Sequence, residues 1–369
     1  MMKLITFKRK GQKRFPYLIS LLAVSVFSLT GCGGSSGEVV AIPVIDIPQE
    51  DQVEIPEVAS KVVRFIAVGD TGTGEEGQYQ VANAIEAVCA SNGCDFAIGL
   101  GDNIYESGVD SVDDAQWIDK FETPYKDLDF PFYMTLGNHD NSYFGGEGTS
   151  NRKGEFQVDY HYKEGRESDK WNMPARYYHF SAPLSDSEPL IDFFSLDSNP
   201  LASIPDPDTN YEQTSYKEKQ AAWFQETIQS SLGQWKIAFA HHPYLSNGLH
   251  GNAGMYDSVP GNGLLYQEFI EEEVCDQVDV IITGHDHDLQ WLRPVESCGK
   301  TIQMVSGAGA KTRSFTDMDR NPSYFQADET LGFFYIEIEG DEFRGTVYVL
   351  NTDGEYSIAH QQTITRTAD

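Results

Sequence analysis

The chain predicts an α/β fold, and three features carry that expectation. From Lys61 onward, apolar and β-branched runs of strand length alternate with stretches of helical spacing, the pattern of strands buried beneath helices. Five of those runs stop abruptly in Asp, Asn, Tyr or His. The full chain has 40% hydrophobic residues, 12% aromatics, 33 Gly and 16 Pro, a loop-rich globular composition with no internal repeat.

Taken in order, residues 62–68 lead into Gly69-Asp70-Thr71-Gly72, and residues 96–100 into Gly101-Asp102-Asn103-Ile104-Tyr105. Residues 132–136 lead into Gly137-Asn138-His139-Asp140, residues 235–240 into His241-His242-Pro243, and residues 278–282 into Thr283-Gly284-His285-Asp286-His287. In open α/β sheets the ligand crevice lies beyond the carboxyl ends of the strands, so five such ends can meet although they span more than 200 residues. Glycine just before a ligand permits a sharp exit and a close backbone approach. Helical spacing is expected over 78–90, 113–126, 216–231 and 264–275. After Leu331, Phe-Phe-Tyr-Ile-Glu-Ile-Glu and residues 345–350 read as a hairpin around Gly340-Asp341 that completes the second sheet of a sandwich.

The first 31 residues read as a leader. Lys3, Lys8, Arg9, Lys10, Lys13 and Arg14 precede an apolar run over 15–30, of signal-peptide length and short for a membrane span. The run ends in Leu29-Thr30-Gly31-Cys32, which resembles the lipobox of bacterial lipoproteins. That implies a lipoprotein signal over 1–31, export, and a lipidated Cys32 facing the periplasm or the exterior. Residues 32–60, with Gly-Gly-Ser-Ser and three Ile-Pro pairs, read as a tether, and 61–369 as the folded domain.

Without the leader, 20 basic side chains face 57 acidic ones, a formal charge of −37. Nucleic acid is not an expected partner of such a surface, and an anionic substrate needs a locally positive site. Oligomeric state is not legible. Beside Cys32 the chain has Cys89, Cys94, Cys275 and Cys298, an even set in an oxidising compartment. Three pairings are open, of which Cys89 with Cys94 and Cys275 with Cys298 are favoured. A thiolate metal site has no Cys-x-x-Cys to support it.

Turns alone give no reason for Asp, Asp-x-x-Tyr, Asn-His, His and His-x-His to end successive strands. Carboxylate, phenolate, amide oxygen and imidazole suit first-row transition ions. Seven such side chains exceed what one ion with an open position can use, and two ions bridged by a carboxylate are the usual solution for phosphoryl hydrolysis.

The ordered set Asp70, Asp102-Asn103-x-Tyr105, Gly137-Asn138-His139-Asp140, His241 and Gly284-His285-Asp286-His287 resembles the calcineurin-like metallophosphoesterases. Tyr105 narrows the resemblance to purple acid phosphatases. Lys170-Trp171-Asn172-Met173-Pro174, Phe193-Phe194-Ser195-Leu196-Asp197, Asp288-Leu289-Gln290-Trp291-Leu292 and Ser306-Gly307-Ala308-Gly309 extend it toward the small tartrate-resistant branch, over about residues 61–350. The resemblance implies a four-layer α/β/β/α sandwich of two mixed β-sheets flanked by helices, and a metallophosphoesterase catalytic domain over 61–369.

It further implies that Asp70, Tyr105 and His287 hold Fe(III), that Asn138, His241 and His285 hold a second divalent metal (Fe, Zn or Mn), and that Asp102 bridges them. A phenol ionises near pH 10, so binding it as an anion asks for a strongly Lewis-acidic ion. His241 rather than His242 matches the family's His-x-Pro spacing, and His242 stands where relatives have Tyr. His139 and His250 match residues that contact the phosphate or assist the leaving group. The implied reaction is acid phosphatase hydrolysis of small phosphate monoesters by metal-bound hydroxide. A phosphodiesterase or nucleotide or pyrophosphate hydrolase on the same centre is the second reading, and a non-catalytic phosphate- or metal-binding lipoprotein the third. Two stretches depart from the family pattern: 141–157, with Tyr143, Phe144 and Arg152, and the Pro- and Asp-rich 199–215. Both are expected to rim the site.

Overall fold

Strand order follows from which faces the chain must bury. The protein is described from a computed structural model covering residues 61–184 and 187–366; the leader, tether and Cys32 lie outside the described residues. In chain order the strands are β1 (Val62–Val68), β2 (Phe96–Gly99), β3 (Phe132–Met134), β4 (Trp171–Asn172), β5 (Tyr178–Ala182), β6 (Ile191–Ser195), β7 (Trp235–Phe239), β8 (Val280–Thr283), β9 (Leu289–Leu292), β10 (Ile302–Ser306), β11 (Ser323–Ala327), β12 (Gly332–Glu339), β13 (Glu342–Leu350) and β14 (Tyr356–Thr365). The α-helices are α1 (Glu76–Asn92), α2 (Asn151–Tyr162), α3 (Asn199–Ala202), α4 (Gln213–Ser230) and α5 (Leu264–Phe269).

The strands form two seven-stranded mixed sheets, ordered β14-β13-β12-β1-β2-β3-β4 and β11-β9-β10-β8-β7-β6-β5. β1, β2 and β3 run parallel, as do β6, β7, β8 and β10. Side chains alternate faces along a strand, so each central strand of the second sheet serves two cores. Phe193, Ile237 and Ile282 face the first sheet. Phe194, Ala238 and Ile281 face the layer holding Phe224 of α4 and Phe269 of α5. Between the sheets, Phe193 meets Phe65 edge-on at 5.2 Å and Phe96 at 5.4 Å. Val81, Ile85 and Val88 of α1 pack against the outer face of the first sheet. The result is the α/β/β/α sandwich.

Two local expectations change. The C-terminal hairpin joins the first sheet, not the second, because β12 pairs antiparallel with β1 (Phe65 opposite Ile336). Of the helix expected over 113–126, the regular part is short and ends in a π-helical turn, Ile118–Glu122. The favoured disulfides, Cys89–Cys94 and Cys275–Cys298, are both formed.

Candidate metal centre

Three of the seven predicted ligands sit just past a strand in left-handed backbone: Asp70 at φ 59°, Asp102 at φ 52° and His285 at φ 69°. Non-glycine residues avoid this region, and where they adopt it at strand ends the strain commonly serves a site. The adjoining glycines are forced by close approach. A Cβ on Gly284 would lie 2.5 Å from Asp70 Oδ2, and Gly137 is as closely covered by Asp102.

The seven side chains converge in two groups. In the first, Tyr105 Oη is 3.0 Å from Asp70 Oδ1 and 3.1 Å from His287 Nε2, and the latter two lie 3.4 Å apart. In the second, His241 Nε2 is 2.9 Å from Asn138 Oδ1 and 3.0 Å from His285 Nδ1. Asp102 lies between them: its Oδ1 is 3.5 Å from His241 Nε2, and Asp70, Asp102 and His241 offer ligand atoms within 4.8 Å of one another. The first group comes from both sheets, as does the second.

Whether these residues fit cations can be tested on their donors. His241 Nδ1 lies 2.8 Å from the Leu100 carbonyl and must donate to it, so Nε2 of the neutral ring is a lone pair. It faces the Asn138 carbonyl oxygen, an orientation fixed because Asn138 Nδ2 donates to Gly146 O at 2.9 Å. Two buried acceptors at that distance repel unless positive charge sits between them. The same demand shows in the ionisation of His241: burial lowers its pKa, but the Asp102 and Asp70 carboxylates outweigh burial and raise it. His285 goes the other way, lowered well below its usual value by burial and by His250, His242 and His241, and so remains a neutral imidazole with a lone pair to offer. Burial opposes ionisation of Asp102, yet His241, His139 and the His139 amide hold its pKa at about 2. Burial, Asp102 and Asp70 push the Tyr105 phenol well above its ordinary value, so only a strong Lewis acid would bind it as phenolate. The donor set fits a pair of cations.

His242 also approaches. Its ring lies 4.4 Å from that of His285, and His241, His242 and His285 form a second cluster of ligand atoms within 4.8 Å. Its Nδ1, however, is bound at 2.9 Å to Ser198 Oγ, whereas His241 faces both Asn138 and Asp102. The geometry thus favours His241 as the donor from this pair.

His139 and His250 stand at the edge of the centre. The His139 amide donates to Asp102 Oδ1 at 2.9 Å, and its Nδ1 donates to Glu106 O at 2.6 Å, which turns Nε2 toward the centre. The His250 ring lies 4.1 Å from that of His285, tilted by 31°, with Nδ1 2.7 Å from Asp257 Oδ1. A cleft of about 210 Å³ opens here, lined by Asn138, His242, His250 and His285 and by Glu147 and Ile204 from the two departing stretches. Both stretches do rim the site. Phe144, 93% exposed, projects from the first of them.

Several contributors have no role legible in the sequence, although Asp140 stands in the Gly137-Asn138-His139-Asp140 motif. Buried Asp140 accepts from the amides of Asn103, Ile104 and Gly137 and from Gln157 Nε2, clamping the loops after β2 and β3 together. Asp257, Lys311 and Arg313 also reach the rim, from loops that no motif marks.

The chain is 25% identical to the tartrate-resistant acid phosphatase type 5 of Sus scrofa over 310 residues, 77% of this chain and 83% of that protein. It is 26% identical to purple acid phosphatase 3 of Arabidopsis thaliana over 311 residues, 79% of this chain and 76% of that one. Among solved structures it resembles GAP50, an anchor in the inner membrane complex of Plasmodium (TM-score 0.64, 19% identity, 83% of this chain and 90% of that chain). It also resembles the purple acid phosphatase PPD1 of yellow lupin (TM-score 0.57, 18% identity, 83% of this chain and 54% of that chain). Residues 63–289 match the calcineurin-like phosphoesterase family, and the chain belongs to that family.

Proposed function

We propose that this protein is a two-metal acid phosphatase acting on small phosphate monoesters. The observation that carries the reading is the meeting of two donor groups across Asp102: Asp70, Tyr105 and His287 on one side, Asn138, His241 and His285 on the other. In this reading the phenolate side takes Fe(III) and the Asn-His-His side a divalent Fe, Zn or Mn. Bound there, the cations polarise a phosphoryl oxygen and make water nucleophilic in mild acid.

The chain's own residues then do the rest. Asp102, held as a carboxylate, fixes the spacing of the two groups and, through the His139 amide, the loop beside it. His139, its Nδ1–H engaged by Glu106, turns Nε2 toward the phosphoryl group, and His250, oriented by Asp257, lines the side on which the alcohol departs. Either imidazole can hand a proton to the leaving oxygen. A cleft of about 210 Å³ suits a small ester better than a polymer. The relatives named as acid phosphatases support the same chemistry.

Metal analysis joined to a visible spectrum tests the reading. Iron, a second metal and a violet phenolate-to-iron band are expected, with turnover of p-nitrophenyl phosphate; a colourless, iron-free protein without turnover would sink it. We place the protein outside the cytoplasm, anchored by lipid on Cys32, and Cys32→Ala is then expected to move it from the membrane fraction to the soluble one.

A further inference from the structure

Apart from the cations that the reading above places in it, the centre offers an anionic substrate little positive charge. A phosphate monoester is an anion, yet Asp70, Asp102, Asp257, Glu106 and Glu147 surround or rim the centre on a chain of formal charge −31. Of the cations in the loop after β10, Lys311 and Arg313 contact residues of the centre's rim, Glu106 and His250. Lys311 is committed: its Nζ pairs with Glu106 Oε1 at 2.8 Å and lies 3.6 Å above the Tyr105 ring. Arg313 is not. Among the described residues no carboxylate lies within ion-pair distance of its guanidinium, and Nη1 instead donates to His250 Nε2 at 2.7 Å.

That contact is poor company for a half-buried cation. His250 Nδ1 is held by Asp257 at 2.7 Å, so Nε2 offers Arg313 only a neutral lone pair. A guanidinium is matched by two parallel acceptors of an oxyanion, carboxylate or phosphate, and one imidazole leaves most of its donors without such a partner. Its position is nevertheless fixed against the centre, because the Arg313 amide donates to the backbone oxygen of His287 at 3.0 Å. The ring it touches is the one that lies against His285 at 4.1 Å.

We propose that Arg313 is the anchor for the substrate's phosphoryl group, and that it sets a preference for monoesters over diesters. This rests on the phosphatase reading above. With substrate bound, the guanidinium leaves His250 Nε2 for two non-bridging oxygens of the phosphate, and the vacated Nε2 lone pair is free to take a proton from solvent and pass it to the departing oxygen. A monoester offers two anionic oxygens to the fork. A diester offers one negative charge and a second bulky substituent on the same face.

Steady-state kinetics of the metal-loaded protein and of Arg313→Ala and Arg313→Gln test this, with p-nitrophenyl phosphate, its bis ester and inorganic phosphate as inhibitor. Both variants are expected to raise KM for the monoester and the inhibition constant for phosphate roughly tenfold to a hundredfold, the loss of a charge-assisted bidentate contact, with kcat/KM for the bis ester changed by less than about threefold. Arg313→Lys restores part of the loss, as a charge without the fork. If either folded variant keeps the wild-type phosphate constant, or loses monoester and diester turnover equally, the anchor assignment is wrong. If Arg313→Ala adds nothing to His250→Ala in phosphate inhibition, Arg313 acts only by positioning His250 and the proposal is likewise overturned. Failure of the parent reading looks different: the wild-type protein then hydrolyses neither ester.

Discussion

The Asp102 carboxylate occupies the space in which a side chain at residue 137 would begin: a Cβ on Gly137 would lie 2.2 Å from Asp102 Oδ1 and 2.3 Å from Asp102 N. Gly137→Ala is therefore expected to push the carboxylate off the line between the two donor groups. Overpacking of this kind costs about 1–3 kcal/mol, so the variant should still fold while losing metal. Elemental analysis beside a thermal melt checks both halves, and a variant with full metal content and normal turnover contradicts the assignment of Asp102 as bridge.

Tyr105 donates to Asp70 Oδ1 and faces His287, with its phenol pushed upward by burial and two carboxylates. Tyr105→Phe removes one oxygen and little volume. It is expected to abolish the visible band and weaken iron binding while divalent ions still bind on the Asn138 side. Retention of the colour would mean that another residue is its source.

Asp192, near the start of β6, gives a pH signature away from the strand ends that carry the donor groups. Its carboxylate accepts from Ser181 Oγ and Ser231 Oγ at 2.5 Å, from the Gly233 amide at 2.7 Å, and lies 3.2 Å from His179 Nε2. Burial raises its pKa, but His179, the two hydroxyls and the amide outweigh that and leave it well below the usual carboxylate value. A depressed folded pKa gives stability that is complete above the unfolded value of about 3.9 and is lost as pH falls below it. Asp192→Asn should thus cost about 1–3 kcal/mol in urea unfolding at pH 7, the same at pH 5, and progressively less below about pH 4. A penalty that does not shrink in acid would show that the carboxylate's charge is not what the network uses.

Removal of the cations should be felt as stability. A ligand bound to the folded chain alone contributes RT ln(1 + [L]/Kd), about 2.7 kcal/mol at a hundredfold excess over Kd. Prolonged chelation is expected to lower the melting temperature by several degrees, with recovery on readdition of iron and zinc. An unchanged melt in a protein shown to have lost its metals would mean that the donor groups stay assembled without help.

Much of the site was legible in the sequence because a strand end is a local event. An apolar run, a glycine and a ligand-type residue are contiguous, as in residues 96–105 and 278–287. What was not legible depends on distant partners. The sequence places the hairpin of β12 and β13 in the second sheet, yet Ile336 lies opposite Phe65, and nothing near residue 336 announces that pairing. Helix α2 escaped because its buried face is mostly polar: Asn151, Lys153, Gly154 and Gln157 point inward beside Tyr160, with Lys153 paired to Asp110 at 2.9 Å and Gln157 bound to Asp140. Hydrophobic periodicity cannot find such a helix. Arg313 sits in a Thr-Arg-Ser stretch that reads as an ordinary loop, and only its contact with His250 singles it out.

Asp70 and Tyr105 hang from the ends of β1 and β2, His241 and the His285–His287 pair from those of β7 and β8, so each donor group straddles the seam between the two sheets. The gap between partners is thereby inherited from the thickness of the hydrophobic layer behind them, where Phe65 and Phe96 meet Phe193. Shaving a ring from that layer would let the walls settle together and detune the grip on the ions from a distance, without touching a single ligand. The fitness of the centre and the filling of the interior are, in this protein, one and the same constraint.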